Sequence, residues 1–103
     1  MKITVKQDGK DKIFTLGEIK GSTYRKFLEI RDILLETDRS NAEYTVEHFD
    51  MMVEFLVKCF GNQFTADELL DSVDIWDINI YVAEVQKYIN EKTASKMKKL
   101  SKN

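Results

Sequence analysis

Phe60-Gly61-Asn62-Gln63-Phe64-Thr65-Ala66-Asp67-Glu68-Leu69 is the stretch from which the rest of the chain can be read. A helix arriving through Phe60 needs a left-handed residue to end on, and Gly61 supplies it. Thr65 and Glu68 have the spacing of a capping box, with Phe64 and Leu69 placed to staple the new helix at its first turn. A helix stop and a helix start therefore follow one another directly.

Working back from Gly61, the spacing predicts a helix over about 43–60. Its start falls between Asn41 and Thr45, where Ser40-x-x-Glu43 and Thr45 compete as caps. From Val46 to Phe60, ten of fifteen residues are apolar, and Glu47, Asp50, Glu54 and Lys58 form only a thin polar stripe. A helix so apolar all round is central or is covered by a partner. Before it, a helix over 22–37 is predicted, capped by Ser22 after Gly21. Its polar positions Arg25, Glu29, Asp32 and Glu36 lie opposite Tyr24, Phe27, Leu28, Leu34 and Leu35. After Leu69 a short helix over 65–72 gives way to one over 74–91, opened by Asp74, with Ile78, Val82, Val85 and Ile89 as its apolar line.

The first sixteen residues read differently. Ile3 and Val5 alternate with polar residues, Ile13 to Leu16 resume the apolar pattern, and Asp8-Gly9 offers the positive φ of a primed turn. This predicts a β-hairpin over about 2–16. The expected fold is mainly α (α+β): an N-terminal β-hairpin followed by a compact bundle of about four helices, as a single domain over 1–91. Residues 92–103 are expected to form a basic, flexible tail.

The 103 residues include no Pro and four Gly, so no linker divides them. No apolar run approaches the roughly 20 residues of a membrane span. No signal peptide is expected from Met1–Lys6. The single cysteine excludes an internal disulfide and suits a reducing compartment. Charge is uneven: residues 91–103 carry five lysines against Glu91, whereas residues 38–84 carry eleven acidic side chains against Arg39 and Lys58. Such an acidic body repels nucleic-acid phosphates, so no nucleic-acid partner is expected.

Catalytic chemistry has little to stand on. His48 and Cys59 are the only histidine and cysteine, and one helix would hold them about 16 Å apart. Cys59 reads as a small core residue, and His48 as a surface residue of the early helix turns. These two are too few for a zinc site. There is no calcium loop and no phosphate-cradling glycine motif. No enzyme activity, metal or cofactor is expected. What calls for explanation is surplus hydrophobicity. Met51, Met52 and Phe55 lie off the Phe49-Val53-Leu56-Phe60 line, and Trp76 and Ile80 lie off the line of the fourth helix. Each alone reads as core. As a set they exceed what so small a domain buries, and an apolar patch with an acidic rim marks a protein-binding surface. Met51, Met52, Phe55, Trp76 and Ile80 are thus the expected partner contacts.

The run Phe55-Leu56-Val57-Lys58-Cys59-Phe60-Gly61-Asn62-Gln63-Phe64-Thr65-Ala66-Asp67-Glu68-Leu69 resembles the short tail assembly chaperones of long-tailed phages and prophages of Gram-positive bacteria. The N-terminal strand pair, the Gly21-Ser22-x-x-Arg25-Lys26 helix start and the lysine-rich end are similar to that family as well. The resemblance covers most of residues 1–90 and implies a non-enzymatic protein of the host cytoplasm, absent from the mature virion. It implies binding to the tape measure protein and recruitment of the tail tube protein. It also implies a longer form made by ribosomal frameshifting, for which codons of Lys98-Lys99 would be the place. Self-association, through the hairpin edge or the fourth helix, would suit such a coating role. A small bacterial regulatory or adaptor domain binding one folded partner is the alternative.

Overall fold

The computed structural model describes residues 1–100. Two antiparallel strands are followed by four helices, with 66% of the described residues helical and 12% in strands. β1 (Lys2–Gln7) and β2 (Lys10–Thr15) pair from Lys2 opposite Thr15 to Gln7 opposite Lys10. The two residues between them, Asp8 and Gly9, have φ of 52° and 76°, so both central positions of the turn are left-handed. Ile3 and Val5 of β1 are buried, while Ile13 of β2 points outward.

The hairpin is clipped to the helices by polar bonds as well as packing. The Lys6 N–H donates to Ser72 Oγ at 2.8 Å, and the Ser72 hydroxyl donates in turn to the Glu68 carbonyl at 2.7 Å. Gln7 Nε2 donates to the Gln63 carbonyl at 2.9 Å and to Glu68 Oε1 at 3.3 Å. The rings of Phe14 and Phe64 meet with centroids 5.1 Å apart. An isolated hairpin is marginal in water, and these contacts give it a partner.

The helices are α1 (Gly21–Arg39), α2 (Val46–Cys59), α3 (Ala66–Ser72) and α4 (Ile75–Leu100). Packing is centred on α2, which lies against α1, α3 and α4, while α3 also lies against β1. This explains why α2 is apolar nearly all round: with neighbours on three sides, Val53, Phe55, Leu56, Val57 and Cys59 are all buried. Among the described residues α1 and α4 do not pack on one another.

Two helix boundaries differ from the expectation, and a third is a choice between the two caps expected. α1 opens at Gly21 after an extended Lys20, with no side-chain cap; Ser22 is already inside its first turn. α2 starts after Thr45 rather than Ser40, because Ser40 is used to close α1: Asn41 takes φ 57° and the Ala42 N–H donates to the Thr37 carbonyl at 3.1 Å. α4 does not stop after Glu91 but continues to Leu100. Residues 92–100 contain neither Gly nor Pro, and their lysines suit the negative end of the helix dipole. The last part of the expected tail, residues 101–103, lies outside the described residues.

Candidate functional site

The local structure that positions the surface begins at the helix caps. Around Phe60 the Asn62 N–H donates to the Val57 carbonyl and the Gly61 N–H to the Lys58 carbonyl, both at 3.0 Å, with Gly61 at φ 71°. That is the paired closure of a glycine-ended helix. Three residues on, the Glu68 N–H donates to Thr65 Oγ1 at 3.1 Å and the Thr65 N–H to Glu68 Oε1 at 2.8 Å. These backbone and side-chain bonds hold the Glu68 carboxyl below its ordinary pKa. Phe64 and Leu69 are both buried beside this box.

The reactive side chains are engaged structurally. Cys59 is buried, and burial alone pushes its thiol up to about 12, which keeps it protonated and poorly nucleophilic. His48 completes the cap of α2, its Nδ1 accepting from the Thr45 N–H at 3.1 Å while its own N–H donates to Thr45 Oγ1 at 3.3 Å. Tyr44 donates its hydroxyl to Asp38, and that hydrogen bond raises the phenol's pKa. Among the described residues no three His, Cys, Asp or Glu side chains lie together where they would hold a metal ion.

The five expected contact residues separate. Phe55 is only 1% exposed, with its ring 5.2 Å from that of Phe27 on α1. It is a core residue rather than a contact, because α1 covers the side of α2 that sequence spacing left open. Met51 and Met52 are half-buried against the core. Trp76 is 71% and Ile80 50% exposed, on the side of α4 turned away from Ile78 and Val85. Asp77 and Glu84 fall beside this row on the same helix.

A second apolar feature was not legible from spacing. Where α4 leaves the body, a cleft of about 620 Å³ opens between it and the segment leading into α1. Ile19 and Tyr24 line one side, Tyr88 and Ile89 the other, and Lys92 and Lys96 continue the α4 wall. The Lys92 ammonium sits 5.7 Å from the Tyr88 ring centroid. The border of this cleft is lysine-rich, with Glu18 the acidic exception, not the acidic rim expected of an apolar groove. Ile19 is the one large apolar residue between Gly17 and Gly21, and that isolation was the only sequence signal for it.

The molecule has an unusual amount of surface. It exposes 7568 Å², whereas a compact monomer of this mass exposes roughly 6,000 Å². Its radius of gyration is 15.2 Å, against about 13 Å for a compact domain of this length. Ile75, Trp76, Ile80, Met97 and Leu100, all on α4, supply part of the exposed apolar area. Among the described residues no helix is long and apolar enough to cross a membrane. No curated protein and no solved structure matches the chain. The profile of one family, described as phage tail chaperone protein, matches residues 1–103, its whole length, and the chain belongs to that family.

Proposed function

We propose that this chain is a non-enzymatic tail assembly chaperone of the host cytoplasm that binds the tape measure protein, helps to recruit tail tube subunits, and is absent from the finished virion. The observation that carries the reading is the excess of exposed surface over that of a compact monomer, with large apolar side chains within it. Family membership supports a role with tail proteins, and the engaged state of Cys59 and His48 fits a protein without chemistry of its own. The cleft lined by Ile19, Tyr24, Tyr88 and Ile89 offers an apolar face against which one amphipathic helix of a client would dock. Met51 and Met52 add adaptable surface on α2, and Trp76 and Ile80 form a separate exposed row on α4. A long helical client offers many equivalent segments, so modest affinity per segment suffices when many copies bind along it.

The test is omission. Expressing the tail genes without this one should leave the tape measure protein aggregated and yield no tails, and supplying the chain in trans should restore both. Soluble tape measure protein and normal tails in its absence would overturn the reading.

A further inference from the structure

The outward side of α4 carries a repeat that core packing does not require. Ile80, Ala83, Lys87, Asn90, Ala94 and Met97 follow one another at alternating spacings of three and four residues, and Trp76 extends the row by one step. Every one of these residues is exposed. The inward row of Ile78, Val82, Val85 and Ile89 faces the body, so the helix bears a regular seam on each side. A seven-residue repeat, apolar here at Trp76, Ile80, Ala83, Ala94 and Met97, has the spacing of the seam of a pair of helices. The lysine and asparagine at its middle are the kind of polar insertions that set register.

Charge then selects the occupant and its direction. Residues 74–84 hold Asp74, Asp77 and Glu84 with no basic side chain, whereas residues 85–100 hold five lysines, two of them (Lys92 and Lys96) on the cleft wall, against Glu91. The helix dipole favours this partition only within the terminal turns and does not call for an apolar row between them. A second α4 lying antiparallel sets the acidic half of each helix against the basic half of the other, while a parallel one sets like on like. We propose that two copies of this chain pair through the outward faces of α4, antiparallel about a two-fold axis. Ile80 of one copy meets Met97 of the other, Ala83 meets Ala94, and Lys87 meets Asn90. The small alanines let the helices approach closely at the layers between. Such an isologous contact closes on itself and leaves both clefts open, so the pair presents two client sites. It assigns the Trp76–Ile80 row to a second copy rather than to a tail protein, and does not depend on which client fills the cleft.

Site-specific cross-linking of the full chain tests this. Residues 83 and 94 lie about 16 Å apart along one helix, beyond the roughly 7 Å within which two Cα atoms can be bridged. Under mild oxidation, Ala83→Cys alone and Ala94→Cys alone should stay monomeric on a non-reducing gel, and their equimolar mixture should give a disulfide dimer. The native Cys59 is buried and adds no link. By light scattering the wild-type chain should have twice the mass of one chain, and Ile80→Asp should halve it while moving the melting temperature by no more than a few degrees. A wild-type mass of one chain, a mixture that fails to cross-link, or single variants that cross-link as well as the mixture would each overturn the proposal. None of these measurements includes a tail protein, so their failure is separable from failure of the chaperone role.

Discussion

Thr65 and Glu68 bond reciprocally, and Glu68 also accepts from Gln7 of the hairpin. Two residues thus start α3 and help to tie β1 to it. Thr65→Ala should cost about 1 kcal/mol, the usual value of a lost helix cap, read as a lower urea midpoint at unchanged slope. The Glu68 carboxyl has a lower pKa in the fold than in the unfolded chain, mainly through the Thr65 N–H bond. Its contribution is therefore present above the ordinary carboxylate range and is lost as pH falls through the lowered folded value. Glu68→Gln should flatten that part of the acid limb of stability against pH, and an unaltered limb would remove Glu68 from the account. Cys59, with its thiol pushed up to about 12 by burial, should resist a thiol reagent at pH 8 in the folded chain and react completely in denaturant. These details were legible in the residues because caps are local: Thr65-x-x-Glu68 and Gly61 act within one turn of themselves. The cap at Thr45 was readable only as one of two candidates, since Ser40 bonds back to the Thr37 carbonyl instead, a choice made by the end of the preceding helix.

Element by element, α2 is the hub, and its ending decides how the chain returns. Gly61 has φ 71°, and a Cβ there would meet nothing within 4 Å, so its role is purely conformational. Gly61→Ala should destabilise by about 1–2 kcal/mol, the cost of a left-handed alanine, without disturbing the core; a loss near zero would show that α2 can end otherwise. The hairpin, the four helices and the centrality of α2 were foreseeable from turn chemistry and periodicity. The length of α4 was not. Its final turns bury nothing, so periodicity gave no reason to continue past Glu91, yet nothing in residues 92–100 breaks a helix. Phe55 was misplaced for the converse reason: spacing assigns a residue to a face, but only the packing of α1 shows that the face is covered.

On the scale of the whole molecule, surface hydrophobicity is the property that connects fold to role. Phe55 and Trp76 measure it from opposite ends. Phe55→Ala empties a filled site and should cost about 3–5 kcal/mol, whereas Trp76→Ala removes a side chain 71% exposed and should change stability by no more than about 0.5 kcal/mol. Parallel thermal melts check both, and a collapse of the Trp76→Ala melt would mean that its ring supports the core after all. The excess of apolar side chains was visible in composition, but its distribution was not. The cleft brings Ile19 and Tyr24 opposite Tyr88 and Ile89, residues distant in sequence, a relation that no local pattern encodes.

The central claim is that the chain leaves apolar surface open in order to hold another polypeptide of the tail. Co-expression with the tape measure protein, followed by size-exclusion chromatography with light scattering, tests it most directly. The account predicts one soluble complex containing many copies of this chain on each tape measure molecule, weakened when Ile19 in the cleft is replaced by Asp. Separate elution of the two proteins, each soluble without the other, would contradict it.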